Sequence, residues 1–251
     1  MKPDGPDDHP LMAALYDLEN TWGDADDFFL AVANRRPASR IADLGCGTGM
    51  VTIALARAGH VVTGIEPNRS FVEAARSKDD GELVEWIHGT SSSFADRAYD
   101  LVLMTGHVVQ AFISDDEWSA LLADARRSLR PGGAVAFDAL DPDVRAWERW
   151  IGGWSGTLPD GGSFTSGAKV TAVVDDIVTF EVDTTLPDGE RRHGVSDYRF
   201  RSVTALRTSL EDAGFRVDEL YGGWHGEPVG QGVGEIVVIT TAPSGPPVER
   251  R

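Results

Sequence analysis

Ile41-Ala42-Asp43-Leu44-Gly45-Cys46-Gly47-Thr48-Gly49 is the stretch on which the reading of the chain turns. An apolar strand runs into Leu44, and three glycines alternate through Gly49. An almost unbroken apolar helix follows from Met50 to Ala58 and stops at Gly59. Glycine reaches backbone angles closed to other residues and carries no side chain to hold a ligand away. The pattern is therefore a strand, a tight turn and a helix N-terminus, with a ligand expected against bare backbone. Glycine-rich turns of this kind also serve dinucleotides, so two details matter. The dinucleotide fingerprint Gly-x-Gly-x-x-Gly would need its last glycine at Met50. Asp43 also stands at the strand end, where a carboxylate repels a pyrophosphate and attracts an ammonium group.

With those residues in view, Asp43-Leu44-Gly45-Cys46-Gly47-Thr48-Gly49 resembles motif I of the class I S-adenosylmethionine-dependent methyltransferases. A second mark of that family is an acid closing the next strand. Val61 to Ile65 is apolar and Glu66 follows, about 20 residues past the first glycine, the spacing of a ribose-hydroxyl acceptor. A third mark is Leu129-Arg130-Pro131-Gly132-Gly133 before an apolar strand. The resemblance runs from Asp17 to Thr240. It implies a Rossmann-like α/β fold: a seven-stranded, mostly parallel sheet flanked by helices. It also implies S-adenosylmethionine as cofactor, with S-adenosylhomocysteine as product, and says little about the methyl acceptor.

The 251 residues carry 40 acids against 23 Lys and Arg, a formal charge of −17. Such a chain lacks the basic footprint that nucleic acid or an acidic membrane surface requires. One cysteine, Cys46, permits no disulfide within the chain, which suits a cytoplasmic location. No signal peptide and no apolar run approaching a membrane span is visible. The six histidines are scattered and the acids show no ligand spacing, so no metal site is read. A small-molecule acceptor is the expected partner, and the reading leaves room for a homodimer.

The organisation expected is one domain over 1–251. Residues 1–10 are polar and Pro-broken, hence mobile. Residues 11–34 form a helical lid. The cofactor core spans 35–141 and 202–241, with strands at Arg40–Leu44, Val61–Ile65, Leu83–Ile87, Tyr99–Met104 and Gly133–Asp138. Ser114 and Glu117 frame a capping box for a helix over Asp115–Leu129. A helix is expected over Pro142–Ile151 and a glycine-rich loop over Gly152–Gly167. Period-two alternation then marks strands at Lys169–Asp183 and Arg191–Arg201 around a turn at Pro187-Asp188-Gly189. This antiparallel β insertion after strand five, 152–201, is expected over the acceptor pocket, as in small-molecule relatives. A helix over Val203–Ala213 precedes two antiparallel strands at Phe215–Tyr221 and Glu235–Thr240. Residues 242–251 read as a disordered tail.

Ligands in an open α/β sheet bind beyond the carboxyl ends of the strands. The cofactor candidates are therefore Asp43, Gly45, Cys46, Gly47 and Gly49, then Glu66 and Pro67, Thr90 and Ser91, and Thr105 and Gly106. The resemblance adds Tyr16 from the lid. Relatives often place an acid against the adenine amino group, where this chain offers Thr90 or Ser91. Acceptor candidates are Trp22, His107, Trp224 and His225. His107 serves either as a base or as a bond to backbone or to the cofactor's methionine end. A nearby sulfonium would push its pKa down. Asp138 binds a cationic acceptor, orients a histidine or caps the helix after it. Cys46 reads as a packing residue. Three functions stay open: methyl transfer to an O-, N- or C-nucleophile of a small molecule, with secondary metabolism as a setting; a non-methyl reaction such as cyclisation on the same cofactor; and a non-catalytic cofactor-binding module. A nicotinamide oxidoreductase is disfavoured by Met50 and Asp43.

Overall fold

The computed structural model describes residues 10–158 and 161–243. Two helices, α1 (Pro10–Glu19) and α2 (Asp24–Asn34), lead into β1 (Arg40–Leu44), α3 (Met50–Arg57), β2 (Val61–Glu66), α4 (Arg69–Ser77) and β3 (Glu85–His88). Then come β4 (Tyr99–Met104), α5 (Asp115–Ser128) and β5 (Leu129–Leu140). The insertion is β6 (Gly152–Thr157), β7 (Ser163–Val174), β8 (Ile177–Thr185) and β9 (Arg191–Arg199), and the chain closes with α6 (Val203–Asp212), β10 (Arg216–Tyr221) and β11 (Glu235–Thr241).

Seven strands form one sheet in the order β10-β11-β5-β4-β1-β2-β3. β1 to β5 pair in parallel, whereas β11 runs antiparallel between β5 and β10. The expected fold class is thus the observed one. Alternate residues of each central strand feed opposite faces, as a period of two requires. Val102 and Met104 pack with Trp118 and Leu121 of α5 and Leu206 and Leu210 of α6. Leu101 and Leu103 pack with Phe29 of α2, Leu55 of α3 and Val72 of α4. Burial on both faces explains why β4 shows no polar alternation. The capping box is present: the Glu117 N–H donates to Ser114 Oγ at 3.1 Å and the Ser114 N–H donates to Glu117 Oε2 at 3.1 Å.

Several boundaries differ from the sequence reading. Leu83 lies in a short 3-10 turn before β3. Pro142–Ile151 is two 3-10 turns, because Arg145 takes a left-handed conformation (φ 47°) that no continuous helix accepts. Gly152–Gly167 is a hairpin, β6 against β7. Its glycines carry little β-propensity, but ladder bonds come from backbone, and at Gly156 a Cβ would sit 2.7 Å from the Phe164 ring that covers it. Lys169–Asp183 is broken at Asp175, also left-handed (φ 54°), so the insertion is a separate four-stranded sheet, β6-β7-β8-β9. Ala242 is buried and its N–H donates to Gly133 O at 2.7 Å, so it extends the sheet edge instead of opening a tail. Residues 244–251 and 1–9, read as disordered and mobile, lie outside the described residues. Among the described residues no helix is long and apolar enough to cross a membrane.

Candidate cofactor and methyl-transfer site

The turn after β1 holds Gly45, Gly47 and Gly49 at φ 72°, 55° and 84°. Two of these glycines answer to the protein itself. A Cβ on Gly45 would lie 2.5 Å from Val108, and one on Gly49 2.4 Å from Trp86. At Gly47 the neighbour is the Tyr16 ring, 3.2 Å from a Cβ, so α1 lies over the turn. Asp17 fastens it there, accepting from Thr48 Oγ1 and, at 2.8 Å, from Lys78 Nζ. On its other side α1 presents Leu15 to Leu158, Phe164 and Leu186 of the insertion, and Glu19 accepts from Trp154 Nε1.

A cavity of about 530 Å³ opens beneath α1. Asp43, Gly45, Cys46 and Thr105-Gly106 line its floor, Tyr16 and the α1–α2 connection its roof, and Trp224 one wall. Asp43 is buried. Its Oδ2 accepts from Thr52 Oγ1 at 2.7 Å, while Oδ1 has no hydrogen-bond partner among the described residues. Burial pushes the Asp43 carboxyl up to about 6. An orphaned buried carboxylate oxygen facing a cavity is what an ammonium group would satisfy. Glu66 accepts from the N–H of Gly47 at 3.1 Å and of Asn68 at 2.9 Å, which ties the end of β2 to the glycine turn. Burial raises its carboxyl to about 7. Burial, with Glu66 adding to it, pushes the Tyr16 phenol up to about 12, so it stays protonated. The Cys46 thiol is pushed well up by burial, consistent with a packing role.

Other candidates separate. Pro67 offers its carbonyl to His88 Nε2 at 2.8 Å. Ser91 donates to Asp124 of α5 at 2.9 Å and Thr90 pairs with Ser92, so both hydroxyls have partners within the protein. Trp224 packs on Phe28 and Phe29 and lines the cavity. Trp22 instead turns back to donate to Asp27 at 2.8 Å, and His225 is exposed beside Asp24; neither is a lining residue. Among the described residues of 152–201 none lines the cavity, and the insertion packs against its roof, α1.

His107 and Asp138 come together, with a third residue that sequence reasoning missed. Asp138 accepts from the N–H groups of Gly106 and His107, both at 2.9 Å, so it caps the turn after β4 and not a following helix. His107 Nε2 lies 3.0 and 3.1 Å from the two oxygens of Glu235 and 3.3 Å from Asp138 Oδ2. The side-chain nitrogen and oxygens of the three lie within 4.8 Å of one another, although the residues are scattered in sequence. Burial lowers the His107 pKa but the two acids outweigh it, and the net shift is upward, opposite to the direction a sulfonium would impose. Burial lifts Asp138 to about 6. Glu235 had a legible signal: β11 is antiparallel, so its first residue, not its last, lies level with the carboxyl ends of β4 and β5. Asp17, Glu19, Asp24 and Asp26 are also on the cavity wall, in the lid where the sequence reading singled out Tyr16 and Trp22.

A family profile described as a methyltransferase domain matches residues 41–133. The chain is similar to a cypemycin N-terminal methyltransferase from Streptomyces sp, with 33% identity over 114 residues, 44% of this chain and 46% of that protein. It is also similar to a ubiquinone biosynthesis O-methyltransferase from Pectobacterium atrosepticum, with 26% identity over 162 residues, 56% of this chain and 64% of that protein. The chain thus matches about half of the first relative's length and under two thirds of the second's. Among solved structures it resembles SAM-bound CalS10, an amino pentose methyltransferase from Micromonospora echinaspora involved in calicheamicin biosynthesis. The TM-score is 0.65 at 20% identity, covering 92% of this chain and 96% of that one, a likeness of fold.

Proposed function

We propose that this chain, a member of the class I S-adenosylmethionine-dependent methyltransferases, moves a methyl group from that cofactor to an amine of a small-molecule acceptor. The cofactor, when bound, supplies a sulfonium whose methyl carbon is open to a nucleophile. Asp43 Oδ1 takes the methionine ammonium and Glu66 the ribose hydroxyls. The glycine turn lets the cofactor approach the backbone, and Tyr16 closes over it from α1. The protein's remaining task is to exclude water and hold the nucleophile in line.

The amine is favoured by one observation. Asp17, Glu19, Asp24 and Asp26 stand on the cavity wall, and no Lys, Arg or His is among its lining residues. Asp17 is offset by Lys78, which leaves the other three to draw in a cation. A phenolate or carboxylate acceptor would be repelled by the same wall. The first relative's name, an N-terminal methyltransferase, supports this reading, whereas that of the second relative, an O-methyltransferase, supports an oxygen nucleophile. A test is incubation with methyl-labelled cofactor and matched small acceptors, a primary amine, a phenol and a carboxylic acid on one ring scaffold. Label is expected on the amine. Transfer to the phenol alone would overturn the acceptor class. Calorimetry should show binding of S-adenosylhomocysteine and not of NAD, and the reverse would overturn the cofactor.

A further inference from the structure

The cluster after β4 determines which nitrogen of His107 can exchange a proton. Both Asp138 oxygens already accept backbone N–H groups, and both Glu235 oxygens lie at nearly equal distance from Nε2. This is the geometry of one N–H shared between two acceptor oxygens. Nε2 therefore carries the hydrogen. Among the described residues no group bonds Nδ1, and the side chain is 31% exposed while those of Asp138 and Glu235 are 2% and 11%. Thr105 and Gly106, immediately before it, line the cavity, and His107 follows them just outside that lining. His107 itself sits at φ 64°, a conformation costly for a side-chain-bearing residue, held by the two backbone bonds to Asp138. The charged groups facing the ring are Asp138 from β5 and Glu235 from β11. Among the described residues no Lys or Arg pairs with either acid.

We propose that Glu235 is a positioning residue that fixes His107 as its Nε2–H tautomer and so leaves Nδ1 as the atom that takes the acceptor's proton. The proposal rests on the function given above. An alkylammonium acceptor drawn to the acidic wall cannot attack until it loses a proton. Nδ1 takes that proton and becomes imidazolium, stabilised by Glu235 and Asp138. The freed nitrogen lone pair bonds the methyl carbon, and the electron pair of the breaking C–S bond stays on sulfur as a neutral thioether. Water then removes the proton from Nδ1. The base–orienter pairing is the logic of nucleophile activation in general, with Glu235 in the third position.

The experiment is long-range 1H–15N NMR of the full chain labelled at histidine, titrated through neutrality with S-adenosylmethionine or S-adenosylhomocysteine bound. His107 should show Nε2–H and an unprotonated Nδ1 at high pH. Its apparent pKa should be lower with S-adenosylmethionine than with S-adenosylhomocysteine, because only the former carries the sulfonium charge. Glu235→Gln should lower that pKa and populate the Nδ1–H form, and Glu235→Asp should restore Nε2–H. On an amine acceptor, Glu235→Gln should lower kcat by about tenfold to a hundredfold, with the KM for cofactor within twofold. An Nδ1–H tautomer in the parent, or equal pKa values with the two cofactor forms, would overturn the proposal. So would a divalent metal bound at Nε2, found by metal analysis. The cofactor comparison needs no variant, so it decides even if Glu235→Gln does not fold. Absence of S-adenosylhomocysteine binding by the parent would instead refute the function from which the proposal starts.

Discussion

Glu66 shows how a residue's place in the fold sets its chemistry. Its carboxylate accepts two backbone N–H groups and is nonetheless lifted to about 7, because burial outweighs those bonds. Hydroxyl donors of a ribose would favour the ionised form, so affinity for S-adenosylhomocysteine should rise between pH 6 and 8; a flat calorimetric profile would contradict it. Glu66→Ala should weaken binding by roughly 1.5–3 kcal/mol, the range for hydrogen bonds to charged groups. Glu66→Gln should lose less, since one carbonyl acceptor remains. The position of Glu66 was legible because an acid at the end of a second parallel strand is a local pattern. Glu235 was overlooked although its signal was there: an antiparallel β11 brings its first residue level with the end of β4, to His107 128 residues away in sequence.

Helices and strands carry the next predictions. Gly49 caps α3 with a left-handed backbone, and a Cβ there would press on Trp86. Gly49→Ala should destabilise the protein by about 1–3 kcal/mol through strain and overpacking, read from denaturant unfolding. Ser114→Ala, which removes the cap of α5, should cost about 1 kcal/mol, and an unchanged midpoint would show that the cap is idle. α1 is held on one side by Asp17 and on the other by Leu15 against the insertion. Leu15→Ala should therefore speed hydrogen exchange in α1 far more than in β1 or β4. Uniform acceleration would mean that the helix is part of the main core. The glycine-rich β6 escaped the sequence reading because its strand character comes from pairing with β7, not from its own side chains.

Across the whole molecule the shifted groups act in concert on stability. Asp43 and Asp138 at about 6 and Glu66 at about 7 hold protons in the folded state that the unfolded chain has already released. Stability must fall as pH rises through such a window, from about 4 to about 7. His107, raised by its acids, adds the same sign, since its contribution is complete below the unfolded histidine value near 6.5 and is lost as pH climbs through the folded one. The formal charge of −17 adds repulsion in the same direction. His60, lowered by burial, opposes, as do Glu117, Glu219 and Glu227, whose lowered carboxyls add stability as pH rises towards the ordinary carboxylate range. The cofactor-free protein should melt at a higher temperature at pH 5.5 than at pH 8, and S-adenosylmethionine, which brings cationic groups to the site, should narrow the gap. A higher melting temperature at pH 8 without cofactor would show that these carboxyls are not buried as described.

The sequence by itself determined the sheet, the glycine turn, Asp43 and Glu66, because each depends on neighbours a few residues apart or on strand periodicity. It could not determine the direction in which Trp22 and His225 turn away from the cavity, the commitment of Ser91 to Asp124, or the four-stranded form of the insertion. Those outcomes follow from contacts between distant segments, where burial and an available partner override local preference. The tertiary structure also decided the chemistry of His107. An imidazole in sequence is ambivalent between two tautomers, and only the fold brings two buried carboxylates onto one of its nitrogens, the contact from which the proposed Nε2–H form is argued.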